Sequence, residues 1–269
     1  TRKESSAASD VYKRQFWPGP LTLILKRATN IPDAISGGQD SIGLRCPSHP
    51  VAQALLRTFK DGKGGVAAPS ANKFGHVSPT TAQHVRNEFG GDANSLLTCI
   101  LDGGQSEVGI ESTIVDMSRG HAVLLRPGHI SADQIAAVIG YVPASPDQAA
   151  PRASGTLESH YAPQTPVVLV DGEHVLAVLQ KLNLRGRRAA LMQYAVEALP
   201  PVAASIALPT TPTAYAHDLY AALRAMDDVH ADVIIVQTPP ADAAWSGVND
   251  RLRRAAHDSA GVLQQLLQD

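Results

Sequence analysis

Cysteine is almost absent. Cys46 and Cys99 are the only two among 269 residues, and their separation fits neither a zinc ribbon nor a C-x-x-C redox pair. A reduced, cytoplasmic setting fits. No apolar run is long enough to span a bilayer, and the start lacks the apolar core of a signal peptide. Basic excess is missing too. The net charge is −2, so no global positive field points to nucleic acid, although a local basic patch stays open. KDGKGG at 60–65 lacks P-loop spacing, which leaves Lys63 a solvated loop lysine. No Gly-x-Ser-x-Gly elbow surrounds Ser70 or Ser112, and no histidine stands in triad order. The ten histidines show no H-E-x-x-H spacing, so no protein metal site is read, and no repeat at solenoid period occurs.

What remains is a globular composition, 44% hydrophobic and 18% charged, at a length that allows one large domain or two ordinary ones. Residues 1–15 are polar without apolar period and read as a non-native or disordered tail. From Phe16, FWPGPLTLILKR gives an aromatic anchor, a Pro-Gly-Pro turn and a strand at 21–25. Strands are also expected at 41–45, 66–68, 96–101, 109–116 and 121–126. Val51, Ala54, Leu55 and Phe59 predict a helix with one buried face, and Ser131 with Gln134 predicts a capped helix ending near Gly140. A Pro-, Ala- and Ser-rich stretch at 146–165 reads as a linker. Beyond it, strands at 167–170, 189–193, 203–207 and 233–237 alternate with helices at 173–182, 213–226 and 248–257. That is a small C-terminal α/β layer domain with parallel pairing, at 166–269. The preceding domain occupies 16–145.

The chemistry gathers around residues 67–80, AAPSANKFGHVSPT. Pro69 stops the preceding apolar run, and Ser70, Asn72 and Ser78 follow as short polar side chains in one turn-rich loop. Gly75 allows φ > 0 and close backbone approach. Ser78-Pro79 is the expected start of a helix, with Ser as N-cap and Pro at its first position. Strand, polar loop and free N–H groups make a seat for a phosphate-bearing ligand, or an ordinary strand–loop–helix connection. Arg45 ends IGLR before Cys46-Pro47, and Arg126 ends VLLR before Pro127-Gly128. An apolar strand thus delivers each guanidinium to a sheet rim, suited to carboxylate or phosphate, with a solvated strand end as the plain alternative. Ser112 and Thr113 sit in an alternating strand, so one of the pair faces a cleft. Glu111 beside them is a weak general-base candidate, and no catalytic residue is assigned.

Taken together, FWPGPLT, the R-x-P-x-H-P of 45–50, APSAN…G…SPT, LDGG…G-x-EST-x-VD, LLRPG and HYAP occur in an order that resembles the threonylcarbamoyl-AMP synthase family, in its two-domain form with a YrdC-like catalytic domain. The resemblance runs from Phe16 to the C-terminus. It implies a twisted mixed α/β sheet domain and the small second domain. It implies that L-threonine and bicarbonate form a carbamate, which attacks ATP to give threonylcarbamoyl-AMP and pyrophosphate, for tRNA threonylcarbamoyladenosine modification by downstream transferase proteins. By similarity Arg45, Ser70 and Ser112 would contact L-threonine. Ser41, Asn72, Ser78 and Arg126 would hold ATP, and His160 and Tyr161 of the linker would fold over the nucleotide as a lid. Mg2+ would bridge the ATP phosphates.

The family begins with a Pro-Thr-x-Thr-like motif and a Lys-x-Arg stretch, and here the polar tail stands in their place. The resemblance therefore implies a truncated member that lacks part of its sheet and several ligands. Two alternatives stand beside the enzyme. One is a non-catalytic nucleotide-, tRNA- or double-stranded-RNA-binding YrdC-like module, or an inactive fragment. The other is the YrdC-like part of a hydrogenase-maturation carbamoyltransferase, which the HYAP linker and second-domain pattern disfavour.

Overall fold

A computed structural model describes residues 6–90, 96–157, 160–195 and 200–268. In chain order the elements are α1 (Ser6–Phe16), β1 (Leu21–Lys26), α2 (Asp33–Ser36), β2 (Ser41–Leu44), α3 (Pro50–Thr58), α4 (Ala82–Phe89), β3 (Thr113–Asp116), β4 (Val123–Arg126) and α5 (Ala132–Ile139). Then follow β5 (Val167–Val170), α6 (Gly172–Leu184), β6 (Ala189–Gln193), β7 (Ala204–Ala207), α7 (Pro212–Asp227), β8 (Val233–Gln237), α8 (Ser246–Ala255) and α9 (Val262–Gln268). Contacts divide the chain into two compact units. One is Thr1–Pro69 with Glu111–Thr156, and the other is Ser70–Ile110 with Leu157–Asp269.

The first unit is built on a mixed sheet of order β2-β1-β3-β4. β1 pairs antiparallel with β2 and parallel with β3, and β3 pairs antiparallel with β4. Strand alternation sorts its two faces. Leu21, Leu23 and Val115 pack with Tyr12, Ile130 and Ile135, under α1 and α5. Ile24, Ile114, Val123 and Leu125 form the other face, covered by Ala150 and Ala153. Each fully buried side chain of this kind stabilises by about 1.5–3 kcal/mol. α5 starts at Ser131 with a capping box to Gln134 and ends at a left-handed Gly140, as its sequence predicts.

The second unit is built on a fully parallel sheet of order β5-β8-β6-β7. Its central strands, β8 and β6, are apolar up to their closing residues Gln237 and Gln193, because both faces are covered. Ala189, Leu191, Val233 and Ile235 face α6 and α9. Ala190, Met192, Ile234 and Val236 face α7 and α8. The four strands and three helices read from the C-terminal sequence are all present, within two residues at each end.

Several expectations are corrected. Residues 6–15 are not a disordered tail: α1 is helical, and Tyr12 is fully buried in the first core, with Phe16 and Trp17 against it. Residues 1–5 of that segment lie outside the described residues. Among the described residues no strand forms at 66–68 or 96–101, and Val66, Leu96, Leu97 and Leu101 are exposed. The strand expected over 109–116 is ordered only from Thr113, and that over 121–126 only from Val123. α3 buries none of its residues, so the apolar face of Val51, Leu55 and Phe59 is exposed. α4 is capped by Thr81, which accepts from the His84 N–H, rather than by Ser78. The boundary after Thr156 falls inside the expected linker, but 70–110 groups with the C-terminal residues rather than with the rest of 16–145.

Candidate active site

The residues expected at ligands divide between the units: Ser41, Arg45, Ser112 and Arg126 in the first, and Ser70, Asn72, Ser78, His160 and Tyr161 in the second. In the first, Ser112 precedes β3 and Arg126 closes β4. Antiparallel pairing sets Arg126 opposite Ile114, so its long side chain runs back to Ser112. Its Nε and Nη2 both donate to the Ser112 carbonyl, at 3.1 and 2.9 Å, and Nη2 lies 3.3 Å from Ser112 Oγ. Nη1 donates to the Ser154 carbonyl at 2.8 Å. Ser112 Oγ also shares a 2.7 Å hydrogen bond with Thr22 Oγ1 of β1. Arg126 is only 5% exposed, which excludes a solvated strand end.

Alternation decides the Ser112–Thr113 pair. Thr113 points to the other face, where its Oγ1 donates to the Ile130 carbonyl at 2.8 Å. Gly128 is required here by close approach: a Cβ would stand 2.6 Å from the Thr113 nitrogen and 2.8 Å from the Glu111 oxygen. Ser41, the first residue of β2, is buried opposite Lys26. Arg45 is exposed as a residue, yet protein atoms desolvate its head group and lower its pKa. An arginine so shifted stays charged at neutral pH.

In the second unit the polar loop is ordered by its own bonds. Asn72 Nδ2 donates to the carbonyls of Lys73 (2.8 Å) and His76 (3.2 Å). Two carbonyl partners fix which amide atom is nitrogen. Asn72 Oδ1 is then a buried acceptor with no hydrogen-bond partner among the described residues. Gly75 is left-handed, and its carbonyl accepts from Ala162 N–H at 2.9 Å. Ser70 is exposed at the loop's start, and Ser78 is buried at its end.

The same bridge brings the linker to the loop. His76 pairs with Ala162, and the rings of Phe74 and His160 stand edge to face at 6.4 Å. Tyr161, expected with His160 to fold over the nucleotide, lies inward. Its ring is 1% exposed in the second core, 5.5 Å from the Tyr220 ring and with the Arg251 guanidinium over its face. Tyr161 also adopts a left-handed φ of 62°, a strained state for a bulky residue held by its surroundings. It anchors the linker, and the half-buried His160 beside it is the side chain left at the loop.

Sequence reasoning missed Glu88 of α4 and Arg224 of α7. Glu88 accepts from the Lys73 N–H (2.9 Å), His76 Nδ1 (2.8 Å) and Arg224 Nη2 (3.0 Å). Burial alone would raise its pKa, but the Lys73 N–H and the Arg224 guanidinium, with His76, outweigh burial and hold it below the ordinary value. His84, bonded to Thr80, is pushed down by burial and by Arg224. Lone charged residues on surface-patterned helices carry no signal of a partner 136 residues away.

Among known proteins, residues 2–128 match the Sua5–YciO–YrdC family model, described as telomere recombination. Residues 130–257 match the model of the threonylcarbamoyl-AMP synthase C-terminal domain. The chain is 33% identical over 267 residues to threonylcarbamoyl-AMP synthase of Pyrococcus abyssi, covering 94% of this chain and 75% of that one. It is 34% identical over 260 residues to the Bacillus subtilis protein of the same name, covering 90% and 71%. The crystal structure of Pyrococcus abyssi Sua5 complexed with L-threonine superposes with a TM-score of 0.82 at 32% identity, covering 92% of this chain and 73% of that one. A Sua5 variant from the same organism, with an adjacent histidine and tyrosine changed to alanine, superposes at 0.79 and 30% identity, covering 93% and 73%. With two domain models in tandem and that likeness along nearly its whole length, the chain belongs to the threonylcarbamoyl-AMP synthase family.

Proposed function

We propose that this chain is an L-threonylcarbamoyladenylate synthase. The threonine amino group and bicarbonate form a carbamate with loss of water. A carbamate oxygen attacks the α-phosphorus of ATP, the new P–O bond forms, and the bond to the β-phosphate breaks to release pyrophosphate. The product supplies the threonylcarbamoyl group that other, cytoplasmic proteins transfer to tRNA. The observation that carries the reading is the likeness over 94% of the chain to the Pyrococcus abyssi enzyme. The threonine complex of a Sua5 relative supports L-threonine as the amino acid.

The side chains of this protein then take roles their chemistry fits. Arg45 pairs with the threonine carboxylate, with Ser70 and Ser112 as neutral partners. Ser112 Oγ is oriented for this by Thr22 and Arg126. Asn72 Oδ1 is an acceptor, so its ligand partner is an N–H or O–H, an adenine amino group or a ribose hydroxyl, and not a phosphate oxygen. Ser78 and Ser41 are further nucleotide contacts, and Arg126 offers its positive charge to the phosphates. The adjacent His-Tyr pair altered in the relative has one match by sequence here: His160 contacts the nucleotide, and Tyr161 fixes its position. Magnesium arrives with the substrate as MgATP. Catalysis then rests on orientation and charge stabilisation, in a site that keeps water from a labile carbamate.

Pyrophosphate release from ATP that requires both L-threonine and bicarbonate is the expected result. Release indifferent to either, or none alongside a steeply salt-dependent affinity for tRNA, would overturn the reading in favour of a binding module.

A further inference from the structure

The Asn72–Ser78 loop is held from outside itself. Glu88 is a carboxylate on α4 whose side chain is only 6% exposed. One of its oxygens takes the Lys73 N–H and His76 Nδ1, and the other takes Arg224 Nη2. The same Arg224 nitrogen donates to the Val77 carbonyl. The two grips fall on Lys73, next to Asn72, and on Val77, next to Ser78. With Gly75 bonded to Ala162, and Lys73 and His76 bonded to Asn72, the carbonyls of 73, 75, 76 and 77 are all engaged. The loop is therefore set before any ligand arrives. Glu88 lies within the match to the first family model, and Arg224 within the match to the C-terminal one.

We propose that the Glu88–Arg224 pair is a positioning device for the nucleotide: through it, α7 of the C-terminal domain fixes the shape in which Asn72 and Ser78 meet ATP. The inference rests on the reading of this loop as a nucleotide contact. A loop already in its bound shape loses less entropy on binding, so loosening it lowers affinity for the ligand it touches and for no other. Neither Glu88 nor Arg224 touches substrate; both act through the loop backbone.

The test measures Kd for MgATP and for L-threonine by calorimetry on the full chain. Arg224→Met, which keeps the stem and removes the donors, is expected to weaken MgATP by about tenfold and leave L-threonine within about twofold. Arg224→Lys should recover part of the loss, since one ammonium can still reach Glu88. Asn72→Ala is measured alongside and should also weaken MgATP. If Asn72→Ala weakens MgATP and Arg224→Met does not, the clamp is overturned and the loop reading stands. If neither changes it, the loop reading fails and takes the clamp with it. Equal weakening of both ligands by Arg224→Met would mean a general structural role and also overturn the proposal. Should Arg224→Met not fold, the near-isosteric Glu88→Gln decides by the same comparison, with selective loss of MgATP affinity supporting the clamp and unchanged affinity refuting it.

Discussion

Replacing Arg126 with methionine separates what its guanidinium holds from what its stem packs. Methionine keeps an unbranched apolar stem, so little cavity results. The N–H contacts to Ser112 O, Ser112 Oγ and Ser154 O vanish. Ser154 is exposed, and water can take over its carbonyl. Ser112 is 5% exposed, so its carbonyl loses two donors where solvent does not reach. An orphaned buried acceptor costs about 1–3 kcal/mol, and that is the expected loss. Two compact units make a single global transition a poor readout. Trp17 packs on the first core and donates to the Leu21 carbonyl, whereas Trp245 sits in the second core. Urea unfolding followed by Trp17 fluorescence in a Trp245→Phe background therefore reads the relevant unit. The midpoint should fall by the equivalent of about 1–3 kcal/mol with an unchanged slope. Arg126→Lys should lie between, since an ammonium cannot fork onto two carbonyls. A methionine variant as stable as the parent would refute the argument, because the desolvation of a buried guanidinium would then outweigh its hydrogen bonds.

Gly109→Ala should destabilise the second unit by about 2–5 kcal/mol, read from the Trp245 midpoint. Its φ is +78°, and a Cβ would stand 2.2 Å from the Ala216 carbonyl oxygen and 2.4 Å from His217 Cα, backbone atoms that cannot swing away. Tyr12→Ala should cost about 3–5 kcal/mol at the Trp17 midpoint, as for any fully buried aromatic, whereas a disordered tail would show no change. Acid should release the Glu88 clamp. A carboxylate whose folded pKa is lowered stabilises fully above its ordinary value of 4.5 and loses that contribution as pH falls through the folded value. The stability gap between parent and Glu88→Gln should therefore shrink from about pH 7 to about pH 3; a constant gap would contradict the assignment.

The C-terminal sheet was legible because its strands obey one rule throughout. Val233 to Val236 alternate between two covered faces, so an unbroken apolar run flanked by helical periods has one simple solution. The first half gives weaker signals. Val66 and Leu96 begin apolar runs that look like strands, but an apolar run does not name its pairing partner, and among the described residues neither run is a strand. α1 was hidden because Tyr12 is the one buried residue among Val11 to Phe16, in a polar segment. Ser78-Pro79 has the composition of a helix start. The cap passed to Thr81 because the Thr80 N–H and hydroxyl are taken by His84 and its carbonyl by Ser106. At the site, both arginines were visible as strand ends. That Arg126 would spend its fork on Ser112 was not, since backbone carbonyls have no letter in a sequence.

The contacts of 70–110 argue against dissecting this chain at Thr156, the end of its first compact unit. α4 has eight residues and buries only Ala82, so it lacks the length and the apolar face to persist alone. α7 holds the 70–110 segment through Arg224 on Glu88 and Val77, the Gln105–His217 contact, and Gly109 against the Ala216 and His217 backbone. A polypeptide ending at Thr156 would keep the mixed sheet, whose two cores draw on residues 12–153 alone, but would leave the Asn72 loop without its clamp. Amide exchange checks this directly. Residues 73–89 should exchange far faster in such a fragment than in the full chain, while β1 and β3 stay comparably protected. Retained protection at Lys73 and through α4 would show that the loop holds its shape without α7, and would remove the reason for giving the C-terminal domain a part in nucleotide binding.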